Sequence, residues 1–574
     1  MIELRFTISD AERKVLIMKN ARIISMLLCL TLLCGAIGCT TGGNPAKSPA
    51  PGTADGPVVT EEPTAEPTPE TGIDEPLPLE SAADFTVSGA FTNNMVLQRG
   101  EHIRVWGWAP ESENGKKVSG EFLGMFTESE IKDGKWELTF KKKLEAHAEE
   151  GIEMRIYTDS KEVVFENVLV GDVFMCMGQS NVAYSMQVHW SYIKSKDEEN
   201  FGQRMFNKDL PIRLHYNTQS VTTKLKRGTE DVNENVANKS KWLKATSSSV
   251  MQFSAIGYMF AYYYVTETNG EIPVGVIEID GNGQPIGAFV PNEVAEQCKT
   301  DTWVESKGYY VTTGVNANWG RFLYNEYMYP FEHYALAGVL WYQGESDFSQ
   351  DNSAKYVNTF TALMTYMRGT HNLINKDFPV YFIEFPSIYQ APAGATQWAY
   401  MDLGKIRAIM GGIVKSLPNS YQGVSCDCWS DRTFWNSLHP NCKAAQAKRA
   451  ARIAVAVSGS SALTLTDAAG PIIESVTYSN GNKTAEIRFT NVGEGLKTTD
   501  GGNEVKGFVG LASKNVLSSK KVTATITGKD TVTLTADFEL AGVAYNAKSE
   551  NFFGSEITLC SSNGNPAGAF LLNR

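Results

Sequence analysis

The chain has 574 residues with a formal net charge of −12, and 42% of its residues are hydrophobic. A chain of this length is expected to fold into more than one domain. The acidic balance excludes a nucleic-acid partner that needs a basic face, and it disfavours binding to anionic surfaces.

The first 39 residues have the layout of an export signal. A short basic region at 18–22 precedes an apolar stretch, Ile23 to Leu33, that is too short to span a bilayer comfortably. Small residues then lead to Cys39, and Ala36-Ile37-Gly38-Cys39 resembles a bacterial lipoprotein cleavage box with Ala36 where Leu is usual. We expect an exported protein, extracellular or at the cell surface. Both a plain secretory signal and a lipid anchor at Cys39 remain open.

Composition divides the rest of the chain into four segments. Residues 40–83 are rich in Pro, Thr and Glu and are expected to form a disordered linker. Residues 84–167 contain short alternating strands with turn signals, which predicts an N-terminal β domain. Residues 168–457 alternate apolar strands with helical segments, and residues 458–574 return to short strands, which predicts a C-terminal β domain.

The segment 168–457 carries the fold prediction. Strands that are apolar throughout and are separated by helices indicate a parallel sheet covered on both faces, hence an α/β/α sandwich. The expected strands are 168–177, 273–279, 337–342, 380–385 and 422–426. The expected helices are 255–268, 321–335, 353–368, 398–416 and 441–457. Residues 186–250 show no clear period.

Six cysteines follow the export segment: Cys176, Cys298, Cys426, Cys428, Cys442 and Cys560. Export would permit disulfides among them, but the sequence does not fix the pairing. Three of the six flank His439, so a bridge there would stiffen the loop that carries this histidine. A metal site is disfavoured, because the spacing does not match a zinc ribbon.

Three motifs carry the candidate chemistry. Gly178-Gln179-Ser180-Asn181 follows the first apolar strand and presents a hydroxyl at a sharp turn, where serine nucleophiles are usually found. Trp341-Tyr342-Gln343-Gly344-Glu345-Ser346-Asp347 follows a later strand, and Leu438-His439-Pro440 precedes the last predicted helix. A serine becomes a good nucleophile only when a base takes its proton, and His439 is the natural base because imidazole titrates near neutrality.

These motifs, in this order, resemble those of the SGNH hydrolases, and more narrowly the sialate O-acetylesterase branch of the bacterial carbohydrate esterases. The resemblance runs from about residue 85 to 574. It implies a flavodoxin-like α/β/α hydrolase domain flanked by small all-β domains. It also implies a serine esterase that needs neither metal nor cofactor, with Ser180 and His439 as the catalytic pair.

The same resemblance implies an oxyanion hole made by the backbone N–H of Ser180, a glycine N–H after the second strand, and the side chain of Gln343. The family usually has Gly-Gly-Thr-Pro in this loop, which spans residues 281–286 here. Matching the proline of that pattern to Pro285 favours Gly283 as the glycine donor, and Gly281 is the alternative. The alternative for Gln343 is a buried amide that pins its loop. Glu345 and Asp347 are expected to brace that loop rather than to react.

The third member of the catalytic set departs from the family pattern. The wider superfamily has Asp three residues before the histidine, where this chain has Asn436. Either Asn436 or a backbone carbonyl orients His439, or an aspartate such as Asp431 or Asp427 reaches it from the preceding loop. Trp429 and Trp435 in that loop, together with Asn181, are the expected contacts to a sugar substrate, since sugar rings stack on aromatic faces.

The sequence therefore predicts an exported esterase that removes O-acetyl groups from sialic acid or a related acetylated sugar. Two alternatives remain. One is an esterase for acetylated plant xylan, which shares these motifs. The other is a non-catalytic glycan-binding surface protein, which Asn436 favours. The expected partner is an acetylated carbohydrate, and the oligomeric state is open.

Overall fold

The computed structural model describes most of the chain from residue 84 onward. The described ranges are 84–193, 210–216, 240–298, 301–304, 309–312, 323–347, 353–387, 403–428, 438–548 and 553–574. The predicted signal, Cys39 and the predicted linker lie outside these residues. Within them, no helix combines the length and the apolar character needed to cross a bilayer.

Among the described residues, eight short strands precede residue 168. They are β1 Thr86–Val87, β2 Val96–Gln98, β3 Ile103–Trp108, β4 Lys117–Phe122, β5 Met125–Glu130, β6 Lys135–Phe140, β7 Met154–Tyr157 and β8 Glu162–Phe165. Buried and more exposed residues alternate along β3 and β6, so one face of each strand packs on a core. They form an antiparallel sheet β1-β3-β6 and a second antiparallel sheet β5-β4-β7-β8. β2 instead pairs with the first strand of the central sheet.

The candidate site lies at the carboxyl ends of the strands of the central sheet. The strands of this sheet are β9 Leu169–Gly178, β10 Ile212–Tyr216, β11 Lys241–Lys244, β12 Val274–Asp280, β15 Gly338–Tyr342, β16 Val380–Ile383 and β17 Ser420–Gly423. Between them lies the hairpin β13 Asp301–Val304 and β14 Tyr309–Thr312. In the described part of the chain the sheet order is β11-β10-β12-β9-β15-β16-β17. Every residue of β9, β15 and β16 is buried, which requires cover on both faces.

Helices supply that cover. They are α1 Ser180–Ala183, α2 Met186–Ile193, α3 Ser247–Gln252, α4 Ala255–Glu267, α5 Asn292–Cys298, α6 Ser353–Thr370, α7 Leu403–Gly411, α8 Ile413–Ser416, α9 Lys443–Ser458 and α10 Leu465–Ala468. α4 and α9 pack against each other and form one group, while α5, α6 and α7 form another. The α9 helix ends in a left-handed cap at Gly459, whose φ of +65° suits glycine.

The last strands form three antiparallel sheets around a second core. They are β18 Ile472–Ser479, β19 Thr484–Thr490, β20 Leu496–Thr498, β21 Phe508–Ser513, β22 Val516–Leu517, β23 Val522–Ile526, β24 Thr531–Ala536, β25 Gly542–Tyr545, β26 Leu559–Ser561 and β27 Phe570–Asn573. The sheet orders are β18-β19-β24-β23, β20-β26 and β22-β21-β25-β27. This core is apolar and includes Ile487, Val532 and Tyr545.

The predicted α/β/α architecture with flanking all-β sheets is confirmed, with two corrections. The central sheet is mixed rather than parallel, because β11 runs antiparallel to β10 at its edge. Both strands come from the segment that showed no period. The single helix predicted at 321–335 is wrong: Tyr324–Met328 is a π-helical turn followed by a 3-10 turn, Tyr329–Phe331. Pro330 has no N–H to continue an α-helix.

A buried carboxylate ties four parts of the fold together at the start of β9. Asp172 accepts two hydrogen bonds from the Arg99 guanidinium, both of 2.8 Å. It also accepts from the Tyr264 hydroxyl on α4 at 2.7 Å and from the Gln98 amide on β2 at 3.2 Å. Arg99 in turn reaches Ser460 after α9 at 2.7 Å. Removing the carboxylate would leave the largely buried Arg99 cation without its counter-charge and would take one acceptor from the Tyr264 hydroxyl.

We therefore expect Asp172→Ala to lower the free energy of unfolding by about 3 kcal/mol, since breaking a buried ion pair from one side strands the other charge. Urea denaturation measures this. Asp84→Ala is the matched control, because Asp84 forms an exposed pair with Lys161 and its loss should change stability little. Equal losses in the two variants would contradict the role given to Asp172.

Candidate active site

The turn after β9 presents Ser180 at the carboxyl end of the sheet. β9 ends at Gly178, where its backbone lies very close to the neighbouring strand β15. A Cβ added to Gly178 would lie 2.1 Å from the carbonyl oxygen of Tyr342. Only glycine fits there. Ser180 then opens α1, so its backbone N–H has no acceptor within the helix. Its side chain is partly exposed and open to a substrate.

His439, far along the sequence from Ser180, contacts this hydroxyl. Its Nε2 lies 2.8 Å from Ser180 Oγ, across 259 residues of sequence. This is the hydrogen-bond distance that a base needs to take the serine proton. His439 stands just before α9 and, like Ser180, is partly exposed.

The surroundings of His439 keep its ring neutral. Burial, and second the positive charge of Lys443, lower the pKa of His439 to about 4. A neutral imidazole can accept a proton, so His439 is in the form of a base throughout the physiological range.

Lys443 lies beneath the pair, fully buried at the start of α9. Its Nζ donates to Asn181 Oδ1 at 2.7 Å and to the carbonyl of Pro440 at 3.0 Å. The rings of Tyr184 and Tyr342 face the ammonium at 5.0 and 5.2 Å. Burial lowers the pKa of Lys443 to about 8.

Asn181 requires a correction. The sequence predicts that Asn181 contacts the substrate, but its side chain is fully buried. Its Nδ2 donates to the carbonyl of Leu438 at 3.0 Å and to the carboxylate of Glu345. Because both ends of the amide are engaged inside the protein, Asn181 positions the serine and histidine loops and does not face a substrate.

The loop after β12 carries the candidate glycine of the oxyanion hole. Gly283 has a φ of +67°, a conformation that favours glycine, and its N–H has no acceptor among the described residues. The N–H of Gly281 donates instead to the carbonyl of Gly178 at 3.1 Å. The contacts therefore favour Gly283 over Gly281 as a donor, in line with the alignment on Pro285.

Gln343 is fully buried after β15, and its Nε2 lies near three internal acceptors. These are Asp347 Oδ2 at 2.7 Å, the carbonyl of Gln284 at 3.0 Å and Gln179 Oε1 at 3.2 Å. An oxyanion contact from this amide would need one of these bonds to be exchanged. The described contacts fit a pinning role, and the oxyanion role of Gln343 stays a prediction.

Two acidic residues brace these loops, as the sequence predicts. Asp347 accepts from the N–H of Ile286 at 3.1 Å and so holds the Gly283 loop. Glu345 accepts from Asn181. Burial raises the pKa of each carboxyl to about 7. Gln179 adds a bond from the N–H of Ser346 at 3.1 Å, a role that sequence reasoning missed although Gln179 adjoins the nucleophile.

Four predicted site residues lie outside the described residues. They are Asp431 and Asn436, the candidates for orienting His439, and Trp429 and Trp435, the candidates for sugar contacts. Their roles stay predictions. Asp427, the other aspartate considered, is described and is paired with Arg449 at 2.8 Å.

Comparisons with known proteins support the family resemblance over part of the chain. Residues 170–410 match the sequence model of one protein family. That family is described as carbohydrate esterase, sialic acid-specific acetylesterase. The resemblance is confirmed over this region. The match ends before His439, so the histidine's place rests on the geometry above.

Relatives and one solved structure extend the comparison. The sialate O-acetylesterases of Pongo abelii and Homo sapiens are each 24% identical to the chain, over 295 and 298 residues. Each match covers 49% of this chain and 52% of the relative, so the chain spans about half the length of these relatives. A crystal structure of a carbohydrate acetylesterase from Xanthomonas citri has a TM-score of 0.64 at 21% identity and covers 85% of this chain and 99% of that one. The latter match establishes the fold.

The environment of His439 predicts its titration. Its ring should bind a proton with a midpoint near pH 4 rather than near 6.5, because burial and Lys443 both disfavour the charged form. NMR of a histidine-labelled sample measures this, with His439→Gln assigning the signal. Lys443→Met should raise the midpoint only part of the way to 6.5, since burial is the larger cause. A wild-type midpoint at or above 6.5 would contradict the described environment.

Proposed function

We propose that this protein is a serine esterase that removes O-acetyl groups from sialic acid or a related acetylated sugar. The observation that carries the proposal is the 2.8 Å contact between Ser180 Oγ and His439 Nε2. The loop after β12, the neighbouring strand, carries Gly283, whose N–H has no acceptor among the described residues and could receive negative charge. A nucleophile, a base and an oxyanion donor are what acyl transfer needs.

The first half of the reaction forms an acetyl-enzyme. His439 takes the proton of Ser180 as Oγ attacks the acetyl carbonyl carbon, and the N–H groups of Ser180 and Gly283 stabilise the resulting oxyanion. Each such donor is typically worth ~3 kcal/mol. The intermediate then breaks its bond to the sugar oxygen, and His439 gives the proton to that oxygen. The deacetylated sugar leaves with its hydroxyl restored.

The second half returns the enzyme. His439 takes a proton from water as the water oxygen attacks the acetyl carbon, and it returns the proton to Ser180 as acetate leaves. The low pKa of His439 ensures the neutral form but weakens the base. An aspartate facing the ring would raise the pKa of His439. Whether Asn436, a backbone carbonyl or Asp431 orients the ring therefore affects the rate of the reaction.

The substrate class rests on the comparisons and on the sequence. The family model and the curated relatives are named for acetylesterase activity on sialic acid. Trp429 and Trp435 are proposed to contact the sugar. We further propose that the chain is exported, on the strength of the signal-like layout that ends at Cys39. Acetylated glycans outside the cell would then be within its reach.

Acetate release tests the proposal. The wild type should cleave 4-nitrophenyl acetate and release acetate from O-acetylated sialic acid, and Ser180→Ala should lose at least about 1,000-fold in kcat, because the nucleophile is gone. Ser191→Ala is the matched control, since Ser191 is an exposed serine eleven residues along the same segment, and it should keep full activity.

The other outcomes each select a different function. Faster release from acetylated xylan than from sialic acid would support the plant-glycan esterase. A folded wild type that cleaves no ester but binds either glycan would sink the esterase proposal and support the binding protein.

A further inference from the structure

One face of the N-terminal sheet, shared by β3 and β6, carries two tryptophans. Trp106 and Trp108 stand two residues apart on β3, so their side chains leave the same face of the sheet. The register pairs Trp106 with Glu137 and Trp108 with Lys135 on β6, and directly opposed residues share a face. Two indoles, a carboxylate and an ammonium therefore lie on one face.

A turn from the central segment of the chain lies opposite this face. Its residues are Tyr329, Glu332 and His333, in and just after the 3-10 turn that begins at Tyr329. His333 Nδ1 lies 2.8 Å from Glu137 Oε2, and the rings of His333 and Trp106 are 5.7 Å apart. A cavity of about 380 Å³ lies between the two sides. This volume is in the range of sites for small molecules.

Two carboxylates line the cavity in fixed positions. Glu332 Oε1 accepts hydrogen bonds from the hydroxyls of Tyr324 and Tyr366, at 2.5 and 2.6 Å. Glu137 Oε2 contacts His333, while Glu137 Oε1 has no hydrogen-bond partner in the part of the chain that the structure describes. Because Glu137 is held through one oxygen, the other can accept a hydrogen bond from a bound hydroxyl.

The two indoles differ in their surroundings. Trp106 packs against Phe91, with the ring centroids 4.7 Å apart, and contacts the main apolar core. Trp108 is partly exposed and belongs to none of the three apolar clusters among the described residues. Core packing therefore does not explain a tryptophan at position 108, whereas a ligand that covers its ring would.

The chemistry of this lining suits a neutral sugar. The C–H groups on one face of a pyranose ring stack on an indole, and its hydroxyls bond to carboxylate, imidazole and ammonium groups. The charged side chains are Glu130, Glu137 and Glu332 against Lys132 and Lys135. With the imidazole neutral, three negative and two positive charges leave a net charge of −1, which disfavours an anionic sugar.

The cavity is separate from the Ser180 site. β2, which precedes β3 in the same domain, pairs with the first three residues of β9. Tyr334, next to His333, donates to the carbonyl of Val96 on β2 at 2.7 Å. The cavity therefore lies toward the amino ends of the central strands. Ser180 follows the carboxyl end of β9, a strand of ten residues that spans roughly 30 Å.

We propose that the cavity lined by Trp106, Trp108, Glu137 and His333 is a second carbohydrate-binding site, which takes a neutral pyranose sugar. The sugar ring stacks on Trp108, and its hydroxyls bond to Glu137 and His333. Binding at this site does not rest on the proposed function. Its use by the esterase, to hold a neutral part of the glycan that bears the acetyl group, does rest on that function.

Isothermal titration calorimetry of the full chain tests the site. The probes are two neutral sugars, xylohexaose and lactose, and one anionic sugar, sialic acid. We expect a neutral sugar to bind with a stoichiometry of one. Trp108→Ala should weaken that binding at least about tenfold, because truncating an aromatic anchor is costly. Phe126→Ala is the matched control, since Phe126 is an exposed aromatic residue on β5 outside the cavity, and it should bind like the wild type.

Glu137→Gln supplies a second variant that keeps the shape of the side chain. It removes the negative charge, and charge-assisted hydrogen bonds are about twice as strong as neutral ones, so the affinity should fall roughly fivefold. Urea denaturation checks that each variant is folded.

The outcomes separate this site from the proposed function. Failure of both neutral sugars to bind the wild type would overturn the site, as would wild-type affinity in both Trp108→Ala and Glu137→Gln. Sialic acid that binds more tightly than either neutral sugar, and loses this binding in Trp108→Ala, would overturn the assignment to a neutral sugar. Sugar binding without hydrolysis of 4-nitrophenyl acetate would defeat the proposed function and leave this site standing.

Fluorine NMR of the chain labelled with 5-fluorotryptophan locates the bound sugar. Trp108→Phe assigns the Trp108 signal, which should shift when the wild type is saturated with the neutral sugar that binds. A Trp108 signal that does not change at saturation would mean that the sugar binds elsewhere, and it would contradict the proposal.

Discussion

One buried ammonium holds the two halves of the site together. Lys443 Nζ bonds Asn181, the residue after the serine, and Pro440, the residue after the histidine. Asn181 in turn bonds the carbonyl of Leu438, the residue before the histidine. The 2.8 Å approach of Ser180 and His439 is thus flanked by contacts that share one cation. Burying that charge is costly, and hydrogen bonds, aromatic faces and the nearby Glu345 offset the cost.

The order of the strands in the central sheet positions the loops that carry the site residues. Parallel strands end at a common edge, so the loops after β12, β9 and β15, which are neighbours in that order, bring Gly283, Ser180 and Gln343 together. Asp347 links the outer two of these loops through Ile286 and Gln343. The site is therefore formed at three adjacent strand ends. Lys443 in the first turn of α9, and His439 in the residues just before that helix, complete it.

The residues at the strand ends could be predicted from the sequence, but the buried contacts inside the site could not. Ser180 and His439 could be predicted because a strand-turn serine and a histidine before the last helix follow a recognisable order. The sequence predicts a substrate contact for Asn181, because a polar residue beside a nucleophile gives the same sequence pattern whether its side chain faces solvent or a buried lysine. The role of Lys443 could not be predicted, because its burial depends on the packing of α9 against the rest of the fold. β10 and β11 were missed because short strands at the side of a sheet carry too few residues to show a period.

Covalent labelling with a fluorophosphonate probe tests most directly whether His439 activates Ser180. The probe reacts with a serine only when a base takes its proton, and it does not depend on knowing the sugar. We expect one label per chain, mapped by peptide mass spectrometry to Ser180, and none in the His439→Ala variant. A label on another serine, an unlabelled wild type, or undiminished labelling of Ser180 without His439 would contradict the account.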